Sequence, residues 1–203
     1  MDAPYLLALG FIVGLSGAMI PGPLLVYTIA ESLRKGARTG VLVVAGHAIV
    51  EFAIIAVLFV GVTALMTSEL FVKSVSILGG AFMMYTAYGL IKARWDLTGQ
   101  NSAAKYGTIT GGILFTALNP SMPVWWATAG ARLLVEGIRN AGLPGALLVL
   151  IGHWGADLGW YALVSASVAK GREGMLGRYI NPVKNLLALL LLAIGAYFIK
   201  TGV

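Results

Sequence analysis

The chain has 203 residues, 59% of them hydrophobic and only 11% charged, with a mean hydropathy of +0.88. A soluble domain is about 45–50% apolar and about 25% charged. A soluble fold of this length cannot hide so much apolar surface, so one membrane-embedded unit over residues 1–203 is expected. The formal charge of +6 sits in short clusters between apolar runs, which points to membrane topology and away from nucleic acid. Without cysteine there are no disulfides, thiolate metal sites or thiol relays.

Six apolar runs long enough to cross a bilayer follow in order. The first runs from Tyr5 to Ala30, the second from Thr39 to Met66 and the third from Val72 to Ile91. The fourth covers Tyr106 to Ala131, the fifth Leu143 to Ala169 and the sixth Val183 to Ile199. The leading residues Met1 to Pro4 carry no basic charge, so the first run does not look like a cleaved signal peptide. The runs are apolar on both parities, as in residues 53–59, which suits helices and not the alternating strands of a β-barrel.

Lysine and arginine set the orientation. Arg34, Lys35, Arg38, Lys92, Arg94, Lys105, Lys170, Arg172, Arg178 and Lys184 fall in the odd-numbered loops. Lys73, Arg132, Arg139 and Lys200 fall on the other side. Ten against four puts the odd loops in the cytoplasm and both termini outside a multi-pass plasma-membrane protein.

The two halves share signals in the same order. Gly46-His47 is followed by Glu51 in the second run, and Gly152-His153 by Asp157 in the fifth. Ala87-Tyr88 near the end of the third run matches Ala196-Tyr197 in the sixth. Pro21-Gly22-Pro23 interrupts the first run, and Asn119-Pro120 with Pro123 interrupts the fourth. Three helices make an odd repeat unit, so residues 101–203 should enter the membrane upside down relative to residues 1–100. Inverted repeats of this kind recur in transporters, with the site near the midplane between them. Packing alone is the alternative use of such a duplication.

The interrupted helices expose backbone groups at membrane depth, which is tolerated only inside protein or around a wet cavity. Pro21, Gly22, Pro23, Asn119, Pro120 and Pro123 therefore mark candidate sites for a substrate carboxylate, at half-helix N-termini. His47 and Glu51, like His153 and Asp157, are four residues apart on one helical face. Acids in the middle of apolar spans are functional candidates by default. They suit a substrate ammonium or, with the histidines, proton coupling. The same four residues offer nitrogen and oxygen ligands to a divalent metal. No nucleotide loop or catalytic triad is present, so neither an enzyme nor an ATP-driven pump is expected, and no cofactor is required. The tryptophans Trp125, Trp126, Trp154 and Trp160 fit a cavity lining or an interfacial belt.

These residues resemble the lysine exporter (LysE/RhtB) family of amino-acid exporters. The resemblance is carried by the Pro-Gly-Pro at 21–23, then Ser32, Gly36, Arg38, Gly40 and Gly46, then Gly80-Ala81, Tyr85 and Gly89, and by Asn119-Pro120. Members often have lysine after Asn-Pro, where this chain has Ser121. The resemblance implies proton-coupled export of amino acids or similar zwitterions, with a homodimer as a partner state beside the lipid bilayer. The wider superfamily contains metal exporters, so a divalent-cation exporter is the first alternative. A non-transporting membrane scaffold is the second.

Overall fold

The computed structural model describes residues 3–20, 22–59, 69–92, 107–175 and 180–202, and among them every regular element is a helix. Helices α1 (Ala3–Ala18) and α2 (Pro23–Lys35) meet at 80°. The interruption falls where the proline pair requires it. Gly22 is extended, and Pro23 occupies the first turn of α2, where its missing N–H is no loss. Pro21 lies outside the described residues. Helix α2 ends at Gly36, whose φ of +86° is strained for other residues, and the Gly36 N–H bonds the Ser32 carbonyl at 2.9 Å.

Helix α3 (Thr39–Phe59) begins at the expected residue; the remainder of that expected span, to Met66, lies outside the described residues. Helix α4 (Glu69–Lys92) slightly exceeds its expected span. The fourth span is interrupted as the Asn-Pro pair predicts. Helix α5 (Thr108–Ala117) stops, and the chain restarts as α6 (Ser121–Trp125), a π-turn (Trp126–Gly130) and α7 (Ala131–Met175). The expected end at Ala131 is nine residues too early, for helical backbone continues through Asn140. Arg132 and Glu136 mark the edge of the apolar run, but polarity does not stop a helix. The stop is Ala141-Gly142, with Gly142 at φ +62° and ψ −148°. Pro144 follows, and Gly137 and Gly145 let the two arms of the turn touch backbone to backbone. Helix α8 (Ile180–Gly202) completes the order.

Four of these helical stretches are long and apolar enough to cross a membrane, and the bent α1–α2 pair makes a fifth. Ile12, Phe52, Leu70, Leu78, Leu163 and Leu189 are all more than half exposed. Their exposure is costly in water and neutral in lipid. The chain is an all-helical polytopic membrane protein.

Close backbone approach organises the bundle. Gly112 of α5 abuts the Val43 carbonyl of α3, while Gly10 of α1 abuts the Val149 carbonyl of α7. Gly46 abuts Ile109, and Gly152 abuts Leu7. A Cβ would fit at none of these positions. Small residues let membrane helices pack by van der Waals contact where no hydrophobic drive exists. Burial corresponds as well: Val43, Val44, Gly46, His47, Glu51 and Ile55 match Val149, Leu150, Gly152, His153, Asp157 and Tyr161, all buried. Between α4 and α8, Gly80 and Gly195 touch each other's carbonyls. Ala87 is buried but Ala196 is exposed, so burial pairs Ala87 with Gly195, one residue from the match of letters.

Helix α2 lies inside the bundle. Leu24, Tyr27, Ala30 and Leu33 are buried with Phe115, Met83 and Leu191, and Tyr27 stacks on Phe115 at 4.6 Å. Its buried Glu31 pairs with Arg34 at 3.2 Å and with Lys35. Lys35 Nζ donates to Thr108 Oγ1 at 2.9 Å, tying the end of α2 to the start of α5.

Candidate functional site

The correspondence of α3 and α7 brings His47, Glu51, His153 and Asp157 together, each at most 5% exposed. His47 Nε2 lies 3.2 Å from Glu51 Oε1 and 3.8 Å from Asp157 Oδ2. His153 Nε2 lies 3.1 Å from Glu51 Oε1 and 3.3 Å from Asp157 Oδ2. Each imidazole thus faces the acid of its own helix and the acid of the other. Helical spacing puts each pair on one face. Gly40 of α3, packed against the Tyr161 carbonyl of α7, lets the two helices approach closely.

Two tryptophans complete the cluster. Trp126 Nε1 donates to Glu51 Oε1 at 3.0 Å, and Trp154 Nε1 donates to Glu51 Oε2 at 3.0 Å. Trp126 is fully buried at the start of the π-turn, and Gly130 at the other end of that turn leaves room for its ring. Such π-turns recur at functional sites because they re-aim side chains. Trp125 stacks on His153 at 5.1 Å. The sequence allowed a lining or a belt for these residues. Nothing in it showed that two indoles meet one carboxylate, since the donors come from different helices.

The two histidines differ at Nδ1. His47 Nδ1 shares a 2.9 Å hydrogen bond with Thr116 Oγ1 of α5. His153 Nδ1 is buried without a hydrogen-bond partner among the described residues and faces Gly14 of α1. Thr116 and Gly14 hold equivalent places against the two histidines, so the second imidazole lacks the hydroxyl that the first one has.

A cavity of about 740 Å³ joins these groups to both interrupted helices. Its lining includes Gly22, Pro23 and Leu24 at the first break and Asn119, Ser121 and Met122 at the second. It also includes all four of the clustered polar residues. Pro120 and Pro123 flank the second break, and neither lines the cavity; Pro123 is buried in α6. Asn119 Oδ1 accepts from the Ser121 N–H at 3.1 Å and from Ser121 Oγ at 2.8 Å, and the Asn119 carbonyl accepts the Met122 N–H at 3.1 Å. The second break therefore satisfies its own helix start. At the first, Gly22 offers no side chain, and α2 has no side-chain cap.

A helical membrane bundle with a cavity that holds a buried polar cluster and reaches two interrupted helices is the architecture of a transporter. The model of the LysE type translocator family matches residues 15–202, and the chain belongs to that family. It is therefore a multi-pass membrane transporter of small solutes, and its family consists of transporters rather than enzymes. No curated protein and no solved structure matches it.

Proposed function

We propose that the chain is a secondary exporter of amino acids or similar zwitterions, driven by the proton gradient across the plasma membrane. The observation that carries this is one continuous cavity that reaches both helix breaks and all four buried polar residues. The substrate carboxylate sits at the N-terminus of α2, where the Leu24 and Leu25 N–H groups begin a helix without a side-chain cap. The ammonium sits at the acid cluster. Division of α7 at Gly142 gives six crossings, and the matched glycine contacts support two inverted halves, residues 1–100 and 101–203. The basic loops then lie in the cytoplasm, both termini lie outside, and a homodimer is the expected assembly.

A divalent-cation exporter is the second reading, favoured by one observation. Ligand atoms of His47, Glu51 and Asp157 all lie within 4.8 Å of one another. The size of the cavity supports the organic solute, because an ion leaves most of about 740 Å³ unused.

Uptake into inside-out vesicles separates the two. Amino-acid uptake that collapses with an uncoupler supports the first reading. Uptake of a divalent ion, lost when both histidines become alanine, replaces it with the second. Failure to carry either, by a protein that is still well folded, sinks both.

A further inference from the structure

Glu51 and Asp157 occupy matching places in the two halves but hold different surroundings. Both oxygens of Glu51 are engaged. Oε1 accepts from Trp126 Nε1 and His153 Nε2, with His47 Nε2 close by, and Oε2 accepts from Trp154 Nε1. An ionised carboxylate has about four acceptor positions, and Glu51 spends most of them inside the protein. Asp157 accepts no hydrogen bond from any described residue. Its Oδ2 lies 3.3 and 3.8 Å from the two Nε2 atoms. Asp157 also lines the cavity.

A cation entering this site meets two acids that differ in availability. Binding at Glu51 requires an indole N–H to be displaced and left buried without an acceptor, which proteins avoid. Binding at Asp157 displaces no indole N–H and meets only the two imidazole Nε2 atoms at 3.3 and 3.8 Å. Among the described residues that line the cavity there is no lysine or arginine to offer Asp157 a permanent cation. The remaining lining forms a largely apolar wall that includes Met122, Trp125, Ile194, Tyr197 and Phe198. That wall suits a solute whose body beyond the ammonium is bulky and apolar.

We propose that Asp157 alone receives the ammonium of the transported solute, a primary amine or amino acid with a bulky apolar side chain. Glu51, clamped by Trp126 and Trp154, is a positioning residue that orients both imidazoles and does not touch the solute. This rests on the exporter reading above and assigns its acids separate tasks.

The test uses the full-length protein in proteoliposomes, with labelled L-phenylalanine as probe and L-alanine and L-lysine as comparisons. Wild type should carry phenylalanine with a KM at least tenfold below that for alanine or lysine. Asp157→Asn should raise the phenylalanine KM at least tenfold or abolish saturable uptake. Asp157→Glu, which keeps the carboxylate, should recover part of that loss. Glu51→Gln, Trp126→Phe and Trp154→Phe should lower the maximal rate while KM stays within about threefold. The recovery by glutamate keeps the test decisive should Asp157→Asn fold poorly. An equal rise in KM for Glu51→Gln and Asp157→Asn overturns the proposal and leaves the exporter reading standing. So does wild-type transport without preference for phenylalanine. A wild-type protein that carries no amine or amino acid removes both.

Discussion

The two helix breaks are built from similar residues and finished differently. At Asn119-Pro120 an amide side chain caps the restarting helix, so α6 begins with its first N–H groups already bonded. At Gly22-Pro23 there is no side chain to do this, and α2 begins open toward the cavity. The same contrast recurs at the histidines, where Thr116 serves His47 and Gly14 leaves His153 Nδ1 without a partner among the described residues. Duplication thus repeats the packing of the halves, while single side chains at equivalent places make their chemistry unequal. In the exporter proposed above, unequal halves are what a zwitterion needs, because its two ends differ in charge.

Several substitutions break or sharpen this contrast. The largest effect should come from packing, where the halves are alike. Gly46→Leu and Gly152→Leu each drive a side chain into a neighbouring backbone, at Ile109 and Leu7. Each should cost about 3 kcal/mol or more. The yield of monodisperse protein and its thermal unfolding in detergent should fall similarly for both; tolerance of one alone contradicts equivalent packing.

Thr116→Val should make the first histidine resemble the second. It leaves His47 Nδ1 buried without its hydroxyl partner and should cost about 1–3 kcal/mol in the same unfolding assay. No change in unfolding would mean that this hydrogen bond is not formed.

Gly22→Asn should give the first break the cap of the second. The new amide competes with the substrate carboxylate for the N-terminus of α2. Amino-acid uptake should drop about tenfold, equivalent to about 1.4 kcal/mol, with thermal stability kept or slightly raised. Undiminished uptake with a stable protein would remove the carboxylate from this helix end.

Asn119→Ala should do the least. Loss of its bonds to Ser121 should lower stability by about 1 kcal/mol, a shift of a few degrees in thermal unfolding. A fall as large as that of the glycine variants would show that Asn119 holds more than a cap.

Sequence by itself determined much of this protein. Apolar runs, proline pairs and the Gly-His-acid repeats act locally, so they can be read without coordinates. They placed the helices, both breaks and the four polar residues. The fourth helix outruns its apolar run because Arg132 signals only a polarity boundary, whereas a helix ends at a backbone event, here Gly142. Sequence also presented Glu51 and Asp157 as equals, since their neighbours along the chain are alike. Only the tertiary structure separated them. Trp126 comes from the π-turn and Trp154 from α7, both in the half that does not hold Glu51, and they converge on it where Gly40 lets α3 pack against the Tyr161 carbonyl of α7. Hydrogen bonds between distant helices depend on angles and separations set by packing, which no spacing within a single helix encodes.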